Sequence, residues 1–141
     1  MPGRRRILIA EDDSLVRELV RSKLTAAGYD VHTARCGREA LERMFIVKPQ
    51  AVLLDLNLPD MDGFTVLETL RTHPQDATAP AMVLTVSGAP QDVQRAVSLG
   101  ARDYLTKDRI QSHLLPRLAR MLKNAEPAAA AAGGEAASRA A

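Results

Sequence analysis

The sequence predicts an α/β protein whose core is a doubly wound sheet of five parallel strands, with helices on both faces. Short apolar runs that suit buried strands alternate five times with helical patterns of apolar residues, and turn residues separate the two. Alternation of this kind implies right-handed strand–helix–strand units, which place each new strand parallel to the last. We therefore expect one sheet between two layers of helices, each with a polar outer face.

The strand candidates are runs of four or five mostly apolar residues. They are Ile7–Ala10, Val31–Ala34, Ala51–Leu54, Ala81–Thr85 and Asp103–Thr106. Five such strand–helix units in a chain of this length fit the flavodoxin-like type of doubly wound fold. The predicted strand order is therefore 2-1-3-4-5, which makes the first and third strands neighbours.

Each helix is predicted from apolar residues three or four positions apart. The first stripe runs from Leu15 to Ala27, with Asp13 or Ser14 as its cap and Gly28 just past its end. The later stripes are Ala40–Phe45, Phe64–Leu70, Val93–Leu99 and Leu114–Leu122. Pro116 lies in the fifth stripe, so we expect that helix to start at Ser112 or His113, or to kink at the proline.

Composition bounds the class of protein. A chain of 141 residues that is 46% hydrophobic and 26% charged suits one domain, placed at residues 4–124. The Ala- and Gly-rich segment 125–141 has no large apolar residue and is expected to be a disordered tail. A net charge of +2 and the short run at residues 4–6 make no convincing nucleic-acid footprint.

Cysteine usage and hydropathy indicate the compartment. Cys36 is the single cysteine, so no intramolecular disulfide can form, and a lone thiol suits a reducing compartment. The apolar run after the first arginines is too short for a signal peptide, and no run reaches transmembrane length. We therefore expect a soluble, cytoplasmic protein.

Polar residues stand at the carboxyl ends of four predicted strands, the edge where doubly wound sheets bind ligands. They are Glu11, Asp12 and Asp13 after the first strand, Asp55 after the third, Thr85 at the end of the fourth and Lys107 after the fifth. Because the first and third strands are neighbours in the predicted order, Asp12 and Asp55 are expected to lie only a few ångströms apart.

This combination of side chains predicts phosphoryl-transfer chemistry. Carboxylates only a few ångströms apart repel each other unless a cation lies between them. Oxygen ligands in a partly hydrated cluster favour Mg²⁺ as that cation. Lys107 adds a positive charge that can hold a phosphoryl oxygen. Asp55 is the natural nucleophile and would form an aspartyl phosphate. Asp13 is instead expected to cap the first helix.

Four segments resemble the receiver (CheY-like) domain of bacterial two-component response regulators, over residues 4–124. They are ILIAEDD, LLDLNLPDMDG, VLTVSG and GARDYLTKD, in the order and spacing of that family. The resemblance implies that Asp55 accepts a phosphoryl group from a sensor histidine kinase or a histidine phosphotransfer protein. It also implies Mg²⁺ held by Asp12, Asp55 and the main-chain carbonyl of Asn57, with Glu11 assisting through water.

The resemblance further implies a conformational switch. Thr85 and Lys107 would bind the phosphoryl oxygens, and Tyr104 would change rotamer as Thr85 moves inward. The changed surface would be the face of the fourth helix, fifth strand and fifth helix, comprising Gln91–Leu99, Arg102–Tyr104 and Ser112–Met121. The protein would not be an enzyme beyond self-catalysed acceptance and hydrolysis of its own phosphoryl group.

The chain departs from the family pattern at two positions near the site. Val86 stands where the family usually has alanine or another small residue, and its branched side chain is expected to narrow access to Asp55 and slow phosphoryl transfer. Asp108 follows Lys107 where the family often has a cis-proline, so the geometry of that loop is left open. Gly63 is expected to permit an unusual backbone conformation, and Pro59 to stiffen the loop before it.

Other functions are weighed against this one. A haloacid-dehalogenase-like phosphatase needs a second aspartate two residues after its nucleophile, where this chain has Asn57. A flavin-binding module needs a phosphate-cradling loop after the first strand, where this chain has three acids. His32, His73 and His113 are too scattered for a metal site.

Within the receiver class, several questions stay open. A phosphorelay intermediate and a phosphorylation-independent docking domain both remain alternatives to an end-point switch. So does a phosphorylation-dependent homodimer. We expect no DNA-binding domain in this sequence, no membrane association, and an output protein that the sequence does not name.

Overall fold

Five parallel strands form one sheet in the computed structural model, which describes residues 3–72, 79–86 and 88–127. The strands are β1 Arg6–Ala10, β2 Asp30–Ala34, β3 Ala51–Asp55, β4 Ala81–Thr85 and β5 Asp103–Thr106. Their spatial order is β2-β1-β3-β4-β5, and every neighbouring pair is parallel. The predicted flavodoxin-like doubly wound fold is therefore confirmed.

Five α-helices join and follow the strands. They are α1 Ser14–Ala26, α2 Gly37–Val47, α3 Gly63–Thr72, α4 Pro90–Ser98 and α5 Ile110–Pro127. A 3₁₀ turn, Lys107–Arg109, leads from β5 into α5. None of the helices within the described ranges combines the length and apolar character that crossing a bilayer requires.

Apolar side chains fill both faces of the sheet because successive residues of a strand point to opposite sides. One core cluster joins Leu8, Leu54 and Val83 of the strands to α2, α3 and α4. The other joins Ile9 and Leu53 to α1 and α5. β3 and β4 are buried along their full length, as the continuous apolar runs predict, so the sheet is covered by helices on both faces.

Local signals at the ends of α1 act as the sequence predicts. Asp13 is the N-cap, and its carboxylate accepts hydrogen bonds from the backbone N–H groups of Leu15 at 2.9 Å and Val16 at 3.3 Å. Gly28 follows the helix with a φ of 98°. The inclusion of Leu15 in the apolar stripe was wrong: it lies in the first turn and is 81% exposed, whereas Leu24 is fully buried.

The predicted start of the fifth helix was wrong. The helix begins at Ile110 rather than at Ser112 or His113, and it continues through Pro116. The side chain of Ile110 is buried, and its N–H donates to the carbonyl of Lys107, so burial and the preceding 3₁₀ turn start the helix early. Pro116 therefore lies in the helix interior, where it leaves the carbonyl of Ser112 without its usual donor.

The predicted boundary between the domain and its tail, at residue 125, falls inside α5. Helix α5 continues to Pro127, so the first three residues of the expected tail are helical. Residues 128–141 lie outside the described residues, and the expected disorder of the tail is untested there. His73 lies outside them as well.

The reason expected for Gly63 was wrong. In the described part of the chain, positive φ angles occur at Gly28, Lys48 and Gly100, and not at Gly63. Instead, a Cβ atom at Gly63 would lie 2.5 Å from Cα of Leu56 and 2.8 Å from the carbonyl oxygen of Asp55. Glycine is required here because the start of α3 packs directly on the backbone that leaves β3.

Candidate functional site

The carboxyl edge of the sheet brings together four of the residues chosen from the sequence: Glu11, Asp55, Thr85 and Lys107. The paired strands β1, β3 and β4 end at one level, since Ala10 pairs with Leu54, and Asp55 pairs with Leu84. Among the described residues, the buried polar side chains are those of Glu11, Asp55 and Thr85, which are 1–3% exposed. A buried polar cluster at a strand edge requires compensating partners.

Lys107 supplies that compensation. Its Nζ atom lies 3.0 Å from Oε1 of Glu11, 3.1 Å from Oε2 of the same residue and 3.3 Å from Oδ2 of Asp55. The backbone N–H of Asn57 donates to Oδ1 of Asp55 at 3.1 Å, and that of Asp13 donates to Oε2 of Glu11 at 3.1 Å. One ammonium group thus bridges two buried carboxylates that come from β1 and β3.

Proximity and burial change the ionisation of this trio. Burial raises the pKa of Glu11 to about 7, helped by the charge of Asp55 and opposed by the hydrogen bond from Lys107. Burial also opposes the charge of Lys107, but the hydrogen bond to Glu11 and the charge of Asp55 outweigh it and raise the pKa of Lys107. Near neutral pH, Glu11 therefore gains or loses a proton.

The raised pKa of Glu11 predicts a pH-dependent stability. A carboxyl group whose pKa is higher in the folded state stabilises the fold below its unfolded pKa, and that contribution is lost as pH rises from about 4.5 to about 7. Compared with Glu11→Gln, which cannot ionise, the wild type should therefore lose about 2 kcal/mol of unfolding free energy over this interval. Urea unfolding of both proteins in EDTA at several pH values measures the difference. A difference that does not change with pH would contradict the expectation.

Asp12 stands apart from Glu11, Asp55 and Lys107. Its side chain is exposed at the rim of the site, beyond the end of β1. Within the described ranges, no three or more Asp, Glu, His or Cys side chains form a group placed to hold a metal ion. The structure thus brings Glu11 and Asp55 together around Lys107 but does not add Asp12 to them.

The residues at this edge nevertheless fit a hydrated Mg²⁺ ion. Oε1 of Glu11 is buried and, in the described part of the chain, receives no hydrogen bond, although it lies in ion-pair range of Lys107. Mg²⁺ keeps several waters and usually takes only one or two carboxylates from the protein, so three clustered acids are not needed. Asp55, with Asp12 at the rim and the carbonyl of Asn57, offers oxygen ligands of the required kind.

Thr85 and Tyr104 contact each other across β4 and β5. Burial and the charge of Asp92 raise the pKa of the Tyr104 phenol, and a hydrogen bond with the Thr85 side chain partly offsets the rise. Tyr104 is half-buried and packs against the core cluster that contains residues of α2, α3 and α4. The pair assigned to a switch in the sequence is therefore in direct contact.

Asp60 is a structural residue of the site that the sequence reasoning missed. Its carboxylate accepts hydrogen bonds from the backbone N–H groups of Gly37 at 2.7 Å and Arg38 at 2.9 Å, and the bond from Arg38 is the main cause of its lowered pKa. Cys36, the N-cap of α2, makes no capping hydrogen bond through its side chain. The absence of a capping residue before α2 was the available signal that a distant side chain would take this role.

The structure shows the surroundings of Val86 and Asp108, the two positions at which the sequence departs from the family pattern. Val86 is 75% exposed, so most of its side chain faces solvent; the expected effect on phosphoryl transfer stays a prediction. No cis peptide bond occurs among the described residues, and the Lys107–Asp108 bond is trans. Beside Thr85, a cavity of about 550 Å³ opens between the loop after β3 and Asp92 of α4.

The remaining histidines have local partners. His32 lies 3.3 Å from a carboxylate oxygen of Asp30, and Nδ1 of His113 lies 2.6 Å from Oγ of Ser112. They are on different elements, β2 and α5, as expected for residues that do not share a site.

The chain is similar to known proteins over most of its length. Residues 7–119 match the model of the response regulator receiver domain. The chain is 38% identical over 121 residues to RpaA of Synechocystis, described as a DNA-binding dual master transcriptional regulator, and 38% identical over 122 residues to the response regulator MprA of Mycolicibacterium vanbaalenii. Each match covers 86% of this chain but 50% and 52% of those proteins, so the chain spans about half their length.

Solved structures agree with the sequence matches. A putative response regulator from Chloroflexus aurantiacus has a TM-score of 0.81 at 34% identity, covering 86% of this chain and 99% of that one. The BeF₃-activated N-terminal receiver domain of Klebsiella pneumoniae RstA has a TM-score of 0.79 at 33% identity, covering 84% and 99%. With the fold, the strand-end site and these matches in agreement, the chain belongs to the response regulator receiver domain family.

Proposed function

We propose that this chain is a phosphorylation switch in which Asp55 accepts a phosphoryl group from a sensor histidine kinase or a histidine phosphotransfer protein. The observation that carries the proposal is the cluster at the carboxyl edge, in which the partly buried Lys107 bridges the buried carboxylates of Asp55 and Glu11. A carboxylate beside an ammonium group, at the end of a buried strand, suits in-line attack on a phosphoryl group.

Each residue of the site has a proposed role in that reaction. An oxygen of Asp55 attacks phosphorus, and the bond to the donor's leaving group breaks. Lys107 neutralises charge on the phosphoryl oxygens, and the Thr85 hydroxyl donates a hydrogen bond to one of them. The chain accepts the phosphoryl group from its donor, and water later releases it from Asp55 as phosphate.

A Mg²⁺ ion would be held by Asp12, Asp55 and the main-chain carbonyl of Asn57, with Glu11 assisting through water. When bound, it would offset the charge that accumulates between the carboxylates and the phosphoryl group. The oxygen-only donor set at this edge, with Glu11 buried beside Asp55, supports this assignment.

The proposed output is a change in the surface formed by α4, β5 and α5. Tyr104 joins the site to this surface, because its side chain contacts Thr85 and its backbone belongs to β5. Phosphorylation would favour one of two packings of these elements, and a few kcal/mol of differential stability is enough for a usable switch. We place the switching domain at residues 4–124. The DNA binding named for RpaA describes that protein.

Intact mass spectrometry after incubation with acetyl phosphate and Mg²⁺ tests the proposal. The wild type should gain the mass of one phosphoryl group, and Asp55→Asn should gain none, because the amide is not a nucleophile. The gain should also disappear when EDTA removes Mg²⁺. A mass gain that persists in Asp55→Asn, or no gain in the wild type under any of these conditions, would rule the proposal out.

Val86 offers a test of access to the same site. Val86→Ala should accept the phosphoryl group and lose it several-fold faster than the wild type, because the smaller side chain opens the approach to Asp55. Rates of mass gain, and of mass loss after removal of acetyl phosphate, measure both steps. Val97→Ala is a matched control, since Val97 is likewise exposed, at 57%, but lies on α4. Equal rates in Val86→Ala and the wild type would refute the effect.

A further inference from the structure

The loop after β3, residues 56–62, carries backbone groups of the site and is closed at its inner end. The backbone N–H of Asn57 donates to Oδ1 of Asp55 at 3.1 Å, and the carbonyl of Asn57 is the one assigned to Mg²⁺. Asn57 also forms an isolated antiparallel bridge with Asp62, across the neck of the loop. The outer turn of the loop, residues 59–61, extends from this neck toward the start of α2.

Asp60 fastens the outer turn to α2. Its carboxylate accepts hydrogen bonds from the backbone N–H groups of Gly37 at 2.7 Å and Arg38 at 2.9 Å. Such bonds to a carboxylate are charge-assisted, and the partial positive charge at a helix start favours an anion there. Met61 lies against Gly37, where an added Cβ atom would overlap the methionine side chain. The turn and the helix start are therefore in direct contact.

The chain that joins Asp60 to Asn57 is short and stiff. Leu58 and Pro59 are the two residues between them. The proline ring fixes its own φ angle, and the side chain of Leu58 is buried in the core cluster that also contains residues of α2. A displacement of Asp60 would therefore reach Asn57, and with it the N–H group that donates to Asp55.

We propose that Asp60 is a positioning residue for the phosphorylation site, because it anchors the loop to α2 and so holds the backbone of Asn57 in place for Mg²⁺ binding and for the hydrogen bond to Asp55. The proposal rests on the proposed function, to which it adds a residue that touches neither the phosphoryl group nor the metal ion. Removing an outer partner of a metal ligand typically weakens metal binding about 10–100-fold. Since Leu58 also holds the loop, we expect an effect near the lower limit.

A cap that serves only the stability of α2 is the competing role for Asp60. Cys36, the N-cap residue, makes no capping hydrogen bond through its side chain, so the helix start depends on other groups. Glu39 supplies one from within the helix, since its Oε1 accepts a hydrogen bond from the backbone N–H of Arg35 at 2.8 Å. The start of α2 is thus stabilised by one carboxylate from the loop and one from the helix itself, which allows the two roles to be separated.

The dissociation constant of Mg²⁺ tests the proposal, measured from the amide chemical shifts of the isotope-labelled full chain on titration with magnesium chloride. Asp60→Ala should weaken Mg²⁺ binding about tenfold. Glu39→Ala is the matched control: it also removes a hydrogen bond at the start of α2 and lowers the urea midpoint, but should change Mg²⁺ affinity less than about twofold. Asp60→Asn loses the same charge as Asp60→Ala but keeps one accepting oxygen, and should weaken binding only about threefold.

A double variant restores the helix cap without restoring the anchor. Serine is a favoured N-cap residue, so Cys36→Ser/Asp60→Ala should regain much of the urea midpoint lost in Asp60→Ala, while Mg²⁺ binding stays weak. Amide hydrogen exchange in EDTA gives a readout that needs no metal ion. The N–H of Asn57 should exchange about tenfold faster in Asp60→Ala than in the wild type, and at an unchanged rate in Glu39→Ala.

Four results would each overturn the inference: no Mg²⁺ binding by the wild type, equal affinities in the wild type and Asp60→Ala, equal weakening in Asp60→Ala and either Asp60→Asn or Glu39→Ala, and recovery of affinity together with stability in Cys36→Ser/Asp60→Ala. Phosphorylation by acetyl phosphate is measured on the same samples by mass. A wild type that gains the phosphoryl mass, beside an Asp60→Ala variant with normal Mg²⁺ affinity, contradicts this inference alone. The expected order of affinities without a mass gain in the wild type contradicts only the proposed function.

Discussion

Replacing Lys107 with methionine is expected to lower the free energy of unfolding by about 3 kcal/mol at pH 8. Lys107 is the ammonium group that bridges Glu11 and Asp55, and removing one partner of a buried ion pair leaves the remaining charges uncompensated. Methionine keeps the length of the aliphatic chain, so the loss reports the charge rather than the packing.

The same substitution should have a smaller effect at pH 5, about 1 kcal/mol. At that pH Glu11 is already protonated in the wild type, because burial raises its pKa to about 7, so removal of Lys107 leaves one charge fewer uncompensated. Urea unfolding in EDTA at the two pH values measures both quantities.

Lys23→Met is the matched control for Lys107→Met. Lys23 lies in the last turn of α1, is partly buried and donates to the amide oxygen of Gln111 at 3.0 Å; because it pairs with no buried charge, its removal should change stability by less than about 0.5 kcal/mol. A loss at Lys107 that is no larger than the loss at Lys23, or that is the same at both pH values, would show that the lysine does not compensate the buried carboxylates.

Gly63→Ala is expected to destabilise the domain by about 3 kcal/mol, at the upper end of the range for inserting a methyl group into a packed region. The new Cβ atom would lie 2.5 Å from Cα of Leu56 and 2.8 Å from the carbonyl oxygen of Asp55. Both are backbone atoms of the segment that leaves β3, so no side-chain rotation can relieve the contact, and either the start of α3 or the end of β3 must move.

The displacement at Gly63 should also affect the site, because one of the two contacts is with Asp55 itself. Phosphorylation of Gly63→Ala by acetyl phosphate should therefore be slower than in the wild type, even at temperatures where the variant is folded. Gly3→Ala is the control, since no heavy atom lies within 4 Å of a Cβ atom at Gly3. Circular dichroism on urea titration gives stability, and mass spectrometry gives the rate. A loss below about 1 kcal/mol would contradict the steric argument.

The strands were the most predictable part of the fold. Their predicted bounds differ from the observed ones by one residue at most: β1 begins at Arg6 rather than Ile7, β2 begins at Asp30 rather than Val31, and β3 ends at Asp55 rather than Leu54. A strand buried on both faces needs an unbroken apolar run, and turn residues limit such a run at each end. Few other structures satisfy the same pattern, so the local signal and the tertiary structure agree.

Helix ends were less predictable, because distant contacts decide them. Pro116 predicts a late start for α5, yet burial of Ile110 against the sheet starts the helix six residues before the proline. The N-terminus of α2 lacks a local cap and depends on Asp60 from the loop after β3. Neither contact is encoded in the residues next to the helix end, so periodicity and capping rules cannot find it.

By itself, the sequence determined the class of fold, the order of its elements and the edge of the sheet where Glu11, Asp55, Thr85 and Lys107 meet. Parallel strands must present their carboxyl ends together, so residues at those ends are brought close whatever the details of packing. Only the tertiary structure decided which of them touch. Lys107 pairs with Glu11 and Asp55 while Asp12 stays exposed, and Gly63 is needed for close packing rather than for its φ angle. Distances of 3 Å depend on how neighbouring elements pack, which no local pattern of residues specifies.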